Sequence, residues 1–409
     1  MGQAMTDKRI AVIGAGIGGL ACALALQARG IAATIYEQTP ELTEIGAAIA
    51  LSANGTRELQ RLGCLPALEA RSCEPTELIW RGWRNQDRVA AHPVRKDHAY
   101  RNTFGAPYLG IHRADLQKAM HAQLTGEMVR LDHRLTELRE TEQGIRLDFS
   151  HQDSVFADLV IGADGIKSRV RDYVAGPDAI RYSGTSAFRG IVPAVNLPSL
   201  PDPQAIQFWM GPDAHLLHYA IGPDGNDINY FAVTEAPDEW PDPGRWVIEA
   251  TAQDQLRPFA GWDKAVIEMV GQSHQFARWA LFITRPLRHW HKGRAVLIGD
   301  GAHAMVPHHG QGANVSIEDA VTLAELIWAH GLDDTQTLLT RFARMRRLRT
   351  LAIQKSATAT NHALHLHDNQ DLAGRAVRLA QFPREFGWIH NFDAHAMAQA
   401  GALQRRLRA

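Results

Sequence analysis

The fold class of this chain is decided by residues 8 to 37, KRIAVIGAGIGGLACALALQARGIAATIYE. The apolar run Ile10 to Ile13 predicts a strand. A G-x-G-x-x-G pattern follows directly, at Gly14, Gly16 and Gly19. An Ala-rich segment then predicts a helix, and a second apolar run ends at Glu37. Strand, glycine turn, helix, strand and a closing acid together predict a dinucleotide-binding unit.

Each position of this pattern has a physical reason. Gly14 permits a tight turn, Gly16 lets the backbone approach a pyrophosphate, and Gly19 lets the helix pack closely on the strands. The N-terminus of the helix offers unpaired N–H groups to the phosphates. Glu37 would bind the ribose hydroxyls. The pattern leaves open whether the nucleotide is NAD or FAD.

Composition describes an ordinary soluble globular protein. The chain has 409 residues, a length that predicts two or three domains or one intricate pair, and it is 45% hydrophobic and 21% charged. A net charge of −1 favours neither nucleic acid nor an anionic membrane as a partner. The three cysteines, Cys22, Cys64 and Cys73, lack metal-ligand spacing and fit a reducing compartment. Without an apolar leader or a membrane-length apolar run, we expect a cytoplasmic enzyme.

The next segments predict mixed structure. Gly46 to Leu51 reads as an extended segment whose small residues, Ala47 and Ala48, would lie against a flat ligand or a neighbouring helix. A helix is predicted from Asn54 to Leu62. Residues 76 to 111 predict strands of a second sheet, around Trp80, Trp83 and Val89, and then a loop with His92, His98 and Arg101. Arg113 begins the following helix, where it would reach back toward the first domain or form a surface salt bridge.

Two further regions carry chemistry. Residues 128 to 160 predict a small meander, with strands at Val129 to Leu131, Ile145 to Phe149 and Val155. The segment ADLVIGADGIKSRVR, residues 157 to 171, then predicts strand, turn and helix. Asp164 and Gly165 in that turn suit either a ribose or pyrophosphate contact or simple turn chemistry.

Four strand-like runs between residues 183 and 235 predict an inserted antiparallel sheet, a kind of insertion that usually holds the substrate. The period of two places His215, Leu217 and Tyr219 on one face and His218 on the other. A helix is predicted over residues 262 to 275, and strands over 279 to 284 and 294 to 298. The second of these strands leads into GDGAHAMVPHHGQGAN, residues 299 to 314, where Asp300 ends the strand.

The C-terminal region from residue 335 is predicted to be mostly helical. Five arginines between residues 341 and 349 predict a solvated or salt-bridged helix face rather than a nucleic-acid arm. His362, His365 and His367 have no acid or Cys at a fixed ligand spacing, so we expect no metal site there.

Three motifs, GAGIGG, GADGIKSRVR and GDGAHAMVPHHGQGAN, occur in this order. The trio resembles the single-component FAD-dependent aromatic hydroxylases, flavoprotein monooxygenases related to p-hydroxybenzoate hydroxylase, over roughly residues 8 to 360. The resemblance implies an α/β fold: a Rossmann-like FAD-binding domain with an inserted antiparallel-sheet substrate domain and a C-terminal helical region. The implied bounds are 1–75, 100–180 and 285–335 for the FAD domain, 76–99 and 181–284 for the substrate domain, and 336–409 for the helical region.

The resemblance also implies cofactor contacts. Glu37 would bind the adenosine ribose, Arg113 and Asp164 would help to hold FAD, and Asp300 would meet its ribityl or pyrophosphate part. Backbone N–H groups of residues 310 to 314 would face the flavin ring. The full set of expected cofactor-binding residues is Gly14, Ala15, Gly16, Gly19, Glu37, Gln38, Ala48, Arg113, Leu135, Asp164, Gly165, Asp300, Gly310, Gln311, Gly312, Ala313 and Asn314.

HAMVPHHGQGAN, residues 303 to 314, resembles a segment of salicylate hydroxylases in particular, and GPDAHLLHY, residues 211 to 219, resembles a stretch of salicylate and 3-hydroxybenzoate hydroxylases. They imply that His215, Tyr219, Pro307 and His308 form the catalytic set, with the last two over the flavin face. On the residues alone, a structural sheet histidine would be the better interpretation of His215. Gly301 departs from the alanine usual in this family, a small change.

The implied reaction uses NADH or NADPH and O2 to hydroxylate a small aromatic substrate through a flavin C4a-hydroperoxide. A phenol titrates near about 10, so a base such as His215 would help at neutral pH. We expect a salicylate-type, possibly decarboxylative, hydroxylation. The alternatives are reactions like those of 3-hydroxybenzoate 6-hydroxylase or 6-hydroxynicotinate 3-monooxygenase, or a flavin-binding module without hydroxylase activity. Arg81, Arg84 and Arg189 are candidate carboxylate anchors, and a monomer or homodimer is expected.

Overall fold

The structure is a computed structural model that describes residues 8–42, 48–236, 239–242, 244–272 and 276–406. Gly46 and Ala47, the start of the predicted extended segment, lie outside the described residues. Within these ranges, no helix is both long enough and apolar enough to cross a membrane.

The strands, in chain order, are β1 Ile10–Ile13, β2 Thr34–Tyr36, β3 Ala48–Leu51, β4 Ser72–Cys73, β5 Glu77–Gly82, β6 Arg88–Pro93, β7 Leu109–His112, β8 Val129–Arg130, β9 Leu135–Thr141, β10 Gly144–Phe149, β11 Val155–Ala157, β12 Leu159–Gly162, β13 Ile180–Pro193, β14 Ile206–Gly211, β15 Ala214–Ile221, β16 Asp227–Glu235, β17 Val247–Glu249, β18 Ala277–Thr284, β19 His291–Lys292 and β20 Ala295–Leu297.

The helices are α1 Ile17–Gln27, α2 Ala53–Arg61, α3 Leu65–Glu69, α4 Ala99–Phe104, α5 Arg113–His121, α6 Arg169–Ala175, α7 Ala252–Leu256, α8 Lys264–Gly271, α9 Asp300–His303, α10 Gly312–His330, α11 Thr335–Leu364, α12 Leu372–Ala380, α13 Phe382–Glu385, α14 Gly387–His390 and α15 Ala394–Arg406. A short 3-10 helix, Pro307–His309, precedes α10.

The first sheet has the strand order β19-β20-β12-β1-β2-β8 and is parallel except for the pair β19 and β20. Helix α1 packs against β1, β2 and α10, so β1 is buried along its whole length. The carboxyl ends of β1, β2 and β12 meet at one edge. In open α/β sheets this edge is where ligands bind.

The glycine turn after β1 confirms two of the predicted backbone roles. Gly14 has a φ of +100°, which L side chains rarely adopt. A Cβ at Gly19 would lie 1.9 Å from the carbonyl oxygen of Gly14, so only glycine lets α1 approach the turn this closely. A Cβ at Gly16 would meet no atom within 4 Å, so this part of the backbone is open to a ligand.

The second sheet has the order β17-β18-β13-β16-β15-β14-β5-β6. All four runs predicted between residues 183 and 235 form strands in it. The pairs among these four strands are antiparallel, as predicted, whereas β14 also pairs in parallel with β5. Strand β5 comes from a distant segment of the chain, so the short connections that favour antiparallel pairing do not constrain it.

The two faces of the second sheet differ in what covers them. Helices α7 and α8 and the segment between them pack Phe259, Trp262 and Met269 against one face. His215, Leu217 and Tyr219 lie on the opposite face, as the period of two predicts, and His218 lies on the helix-covered side. The bounds of the three predicted domains stay a prediction.

Several local expectations were wrong. Residues 92 to 101 do not form a loop: His92 belongs to β6 and Arg101 to α4, which forms because Tyr100 and Phe104 bury one face of that helix. Val129 does not join the meander, because β8 pairs with β2 at the edge of the first sheet. Trp83 lies in a turn, and α8 begins two residues later than the predicted helix, whose residues 273 to 275 lie outside the described ranges. Asp300 begins α9 rather than ending a strand.

The C-terminal arginines form buried ion pairs as well as a solvated face. Arg346 on α11 is 1% exposed, and it donates from Nε to Asp319 (2.6 Å) and from Nη2 to Glu318 (2.7 Å) on α10. Asp319 also accepts from the backbone N–H of Gly299, in the turn before α9. The arginine-rich helix therefore holds α10 and this turn together, in agreement with the predicted salt-bridged face.

Candidate active site

The carboxyl edge of the first sheet opens into a cleft of about 920 Å³, within the range of about 300–1,000 Å³ typical of ligand sites. Seven of the expected cofactor-binding residues line it: Gly14, Gly16, Glu37, Gln38, Leu135, Asp164 and Gly165. Ala15 and Gly19 are fully buried or nearly so behind the glycine turn. The cleft therefore brings together the ends of β1, β2 and β12, as the motifs predict.

Glu37 ties the second strand to the glycine turn. One carboxylate oxygen accepts a hydrogen bond from the backbone N–H of Ala15 (2.7 Å), and the other accepts from the N–H of Thr39 (3.0 Å). A carboxylate has about four lone-pair sites, so both oxygens keep capacity for further donors. The hydroxyls of a ribose are donors of this kind.

Asp164 caps a helix. Its carboxylate accepts from the hydroxyl of Ser168 and from the backbone N–H groups of Arg169 (2.7 Å) and Val170 (3.1 Å) at the start of α6. The turn chemistry left open by the sequence is therefore present. This cap holds the turn with Gly165 against the cleft.

Arg171 lines the same cleft and was not singled out from the sequence. Its side chain is almost fully buried, and its Nε and Nη1 have no hydrogen-bond partner among the described residues. Burial lowers the pKa of this guanidinium, although Asp172 and Asp164 oppose the shift. A buried cation with unused donors fits a phosphate-bearing ligand, because buried polar groups are normally paired.

The motif GDGAHAMVPHHGQGAN, residues 299 to 314, lies beside β3. Ala48 donates its N–H to Asn229 of the second sheet (3.2 Å). A Cβ at Gly310 would lie 3.7 Å from the Cβ of Ala50. A Cβ at Gly312 would lie 3.9 Å from Oδ1 of Asp300, so this carboxylate is near the N-terminus of α10. Ala48, Asp300 and the turn before α10 thus meet between the two sheets.

Gln311 and Asn314 hold this arrangement with their side chains. Gln311 donates to the hydroxyl of Ser52 (2.9 Å), and Asn314 accepts from the N–H of Ser52 (3.1 Å). Both amides are fully buried or nearly so. The first backbone N–H groups of α10 have no carbonyl partner within the helix, so they can donate to a ligand. They belong to Gly312, Ala313 and Asn314.

Three histidines meet at the second sheet. His215 is 1% exposed, and its Nδ1 lies 2.7 Å from Nε2 of His365. The ring of His308 approaches the edge of His215, with centroids 4.9 Å apart. Burial, with His308 and His365, holds the pKa of His215 well below its ordinary value. Both ring nitrogens of His308 are buried without a partner among the described residues, which is unusual unless a ligand contacts them.

The sheet face between His215 and Tyr219 is less completely covered than the rows beside it. Arg189, Phe231 and Leu217 are direct cross-strand neighbours on β13, β16 and β15, and all three are half-buried. The rows on either side contain His215 and Tyr219, which are buried. Burial raises the pKa of the Tyr219 hydroxyl, and Tyr108 adds to this, so Tyr219 is a neutral donor.

The structure separates the three candidate carboxylate anchors. Arg81 is buried on the other face and bonded to Asp202, and Arg84 is exposed and paired with Asp368 (2.8 Å). Arg189 makes no ion pair with any carboxylate of the described ranges, and its guanidinium stacks 3.4 Å over the ring of Trp279. Burial, with the nearby charge of Arg113, lowers the pKa of Arg189 to about 10. Of the three arginines, Arg189 alone lies on the face of His215 and Tyr219.

Comparisons with known proteins identify the family of this chain. A family model described as "FAD binding domain" matches residues 7–356. A 3-amino-4-hydroxybenzoate 2-monooxygenase of Streptomyces platensis is 37% identical over 388 residues, covering 94% of this chain and 96% of the relative. The chain belongs to the FAD-dependent aromatic hydroxylases. A 6-hydroxynicotinate 3-monooxygenase of Bordetella bronchiseptica is 32% identical, covering 89% of this chain and 94% of the relative.

A solved structure, a salicylate hydroxylase substrate complex, superposes on this chain with a TM-score of 0.82 at 29% identity. The match covers 96% of this chain and 97% of that one. The fold is therefore that of the p-hydroxybenzoate hydroxylase type, as predicted. The hydroxylase is an FAD-dependent aromatic monooxygenase, which answers the question that the glycine pattern left open.

Proposed function

We propose that this hydroxylase uses NADH or NADPH and O2 to hydroxylate an aromatic or heteroaromatic acid that carries a ring hydroxyl. The observation that supports this most strongly is the half-buried row of Leu217, Phe231 and Arg189 on the second sheet, which lies between the buried imidazole of His215 and the neutral phenol of Tyr219. Bound FAD would supply the redox chemistry, accepting hydride and activating O2.

The cofactor-binding roles follow from the placement of the chain's own groups. Glu37 would accept hydrogen bonds from the ribose hydroxyls, and Arg171 would donate its unused N–H groups to phosphate. Asp300 and the N-terminus of α10 would hold the other end of the cofactor. The open backbone at Gly16 would allow the pyrophosphate to approach.

The substrate would lie over Leu217. His215 and Tyr219 are four residues apart on one strand, a separation of about 13 Å at ~3.3 Å per residue. One substituted aromatic ring would lie between their side chains. His215 would accept the proton of the ring hydroxyl, Tyr219 would donate a hydrogen bond, and Pro307 and His308 would border the ring near the flavin.

The position of the cation bears on which acid is bound. Arg189 is two strands from Leu217, about 10 Å at ~4.8 Å per strand, and it is offset from His215 along the sheet. A base and a cation so far apart favour a hydroxyl opposite the carboxylate, as in 3-amino-4-hydroxybenzoate and 6-hydroxynicotinate. Salicylate, which the motifs predict, carries the two groups on neighbouring carbons and is the second candidate.

Arg189→Met should raise the KM for the acid roughly 10- to 100-fold, because a charge-assisted hydrogen bond contributes about 1.5–3 kcal/mol. Turnover of an analogue that lacks the carboxylate should change little. Steady-state kinetics measure both. Arg181→Met, an exposed position on the same strand, is the matched control and should retain the wild-type KM. An unchanged KM in Arg189→Met would exclude Arg189 as the anchor.

The proposed function is tested with the purified flavoprotein and a panel of acids: salicylate, 3-hydroxybenzoate, 6-hydroxynicotinate and 3-amino-4-hydroxybenzoate. Consumption of NADH and NADPH is followed together with product mass. We expect oxygenated product from one of the last two acids. Catechol from salicylate would support the second candidate. Hydrogen peroxide without oxygenated product from any acid would contradict the proposal and favour a flavin-binding module.

A further inference from the structure

A chain of three side chains runs from the substrate face to the surface. Nδ1 of His215 lies 2.7 Å from Nε2 of His365, at the end of α11. Nδ1 of His365 lies 2.5 Å from Oε1 of Glu235, the last residue of β16. The side chain of His365 is buried, and that of Glu235 is 39% exposed. Asn361, one turn earlier on α11, donates to the same oxygen of Glu235 (2.9 Å).

This geometry fixes which nitrogen of His215 is free. A carboxylate only accepts, so Nδ1 of His365 must carry the proton that it donates to Glu235. In the neutral imidazole Nε2 of His365 is then an acceptor, and Nδ1 of His215 must be the donor. Nε2 of His215 is left with its lone pair, the state that a general base needs.

The three hydrogen-bonded side chains also provide a way to move positive charge away from His215, where it is unfavourable. Burial, with His308 and His365, disfavours the imidazolium form of His215 and keeps its pKa low. Glu235 is different. Burial raises its pKa, but the hydrogen bond and charge of His365 outweigh this and leave the pKa below its ordinary value. A positive charge on His365 would therefore meet a carboxylate, whereas one on His215 would not.

The outer end of the chain has access to water. Glu235 is the last residue of β16, and it also lines a second cleft, of about 610 Å³. Asp213, also in that cleft, is exposed and pairs with His367 (3.0 Å) rather than with His365. The groups that face His215 and His365 are His308 from the segment before α10, His362 from α11 and Glu235 from β16.

We propose that His365 and Glu235 are positioning residues that relay the substrate proton from His215 to solvent. The hydroxyl O–H bond of the substrate breaks, its electron pair stays on oxygen, and the proton binds Nε2 of His215. The proton on Nδ1 of His215 passes to Nε2 of His365. The Nδ1 proton of His365 passes to Glu235 and from there to water. This proposal rests on the proposed role of His215 as base.

The relay is tested by the ionisation of bound substrate. For Glu235→Gln and His365→Ala holoenzymes, ultraviolet difference spectra follow the ionisation of bound 3-amino-4-hydroxybenzoate, or of whichever panel acid wild-type enzyme turns over. We expect the apparent pKa of the bound hydroxyl to rise by about one unit, with a roughly tenfold lower kcat at neutral pH. Added imidazole should partly restore His365→Ala. The flavin spectrum and Tm verify folding.

A second measurement needs no ligand. In nitrogen-15 histidine-labelled holoenzyme, NMR should show His215 protonated at Nδ1, and His365→Ala should lose this preference. Asp213→Asn removes a nearby exposed charge outside the relay and should behave as wild type in every assay. The relay would be overturned if both relay variants kept the wild-type substrate ionisation, kcat and His215 tautomer while the His215→Ala variant was still impaired in hydroxylation. A fully active His215→Ala would instead overturn the base on which the relay depends.

Discussion

His215→Ala is expected to lower the hydroxylation rate roughly 10²–10⁴-fold at neutral pH, the range that general bases contribute. The reason is that the phenol of the substrate would lose the buried acceptor that takes its proton as the ring is attacked. The FAD content should stay at the wild-type level, because the cleft that holds the glycine turn and Glu37 lies on the other sheet. Single-turnover kinetics of product formation, beside flavin absorbance, measure the two effects separately.

His218→Ala is the matched control. His218 lies three positions after His215 on β15, is equally buried, and is on the opposite face of the sheet. Both substitutions leave a similar cavity and should lower stability by similar amounts. Only His215→Ala should lose hydroxylation. Equal losses in the two variants would show that the effect of His215→Ala is one of packing, not chemistry.

Arg346→Met is expected to lower the free energy of unfolding by roughly 3–5 kcal/mol, because it removes the buried cation that Asp319 and Glu318 share. Asp319 and Glu318 are both fully buried, and His303 and Arg349 would be their remaining partners. The thermal midpoint should fall by several degrees, and FAD should be held less tightly because Asp319 also supports the turn at Gly299. Thermal melts of holoenzyme and apoenzyme measure both.

This effect should depend on pH. Burial raises the pKa of Asp319, but His303 and Arg346 outweigh burial and leave it at about 2, below the ordinary 3.8. The ionised form therefore contributes stability above about pH 4, and this is lost as the pH falls toward 2. The difference in unfolding free energy between wild type and Arg346→Met should therefore become smaller as the pH falls from about 4 toward 2. Arg347→Met, exposed on the same helix, should melt like wild type at every pH.

Sequence was most informative where the determining contacts are local. The strand, turn and helix around Gly14 and Gly19 follow from neighbours within a few residues, so β1, α1 and β2 could be predicted from one stretch. The alternation of residue types in β15 likewise predicts that His215 and Tyr219 share one face. Arg346 was expected on a salt-bridged helix face, but its burial depends on α10, which the local pattern does not contain.

The rest of the site depends on pairings between distant segments. His365 and Glu235 are 130 positions apart, and neither stands in a pattern that marks a partner. In the sequence, His365 is distinguished only as one of three histidines close together in the C-terminal region. Arg189 could not be told from Arg81 and Arg84 until the register of β13 against β16 placed it on the face of His215. The parallel pairing of β14 with β5 has the same origin.

The most direct test of the central claim is the fate of molecular oxygen. Purified holoenzyme is incubated with NADH or NADPH, the best acid of the panel and O2 enriched in oxygen-18, and the product is analysed by mass spectrometry. We predict one oxygen-18 atom in the product for each nicotinamide oxidised, and loss of that product in His215→Ala. Nicotinamide oxidation that yields only labelled hydrogen peroxide, or product oxygen derived from water, would contradict the account.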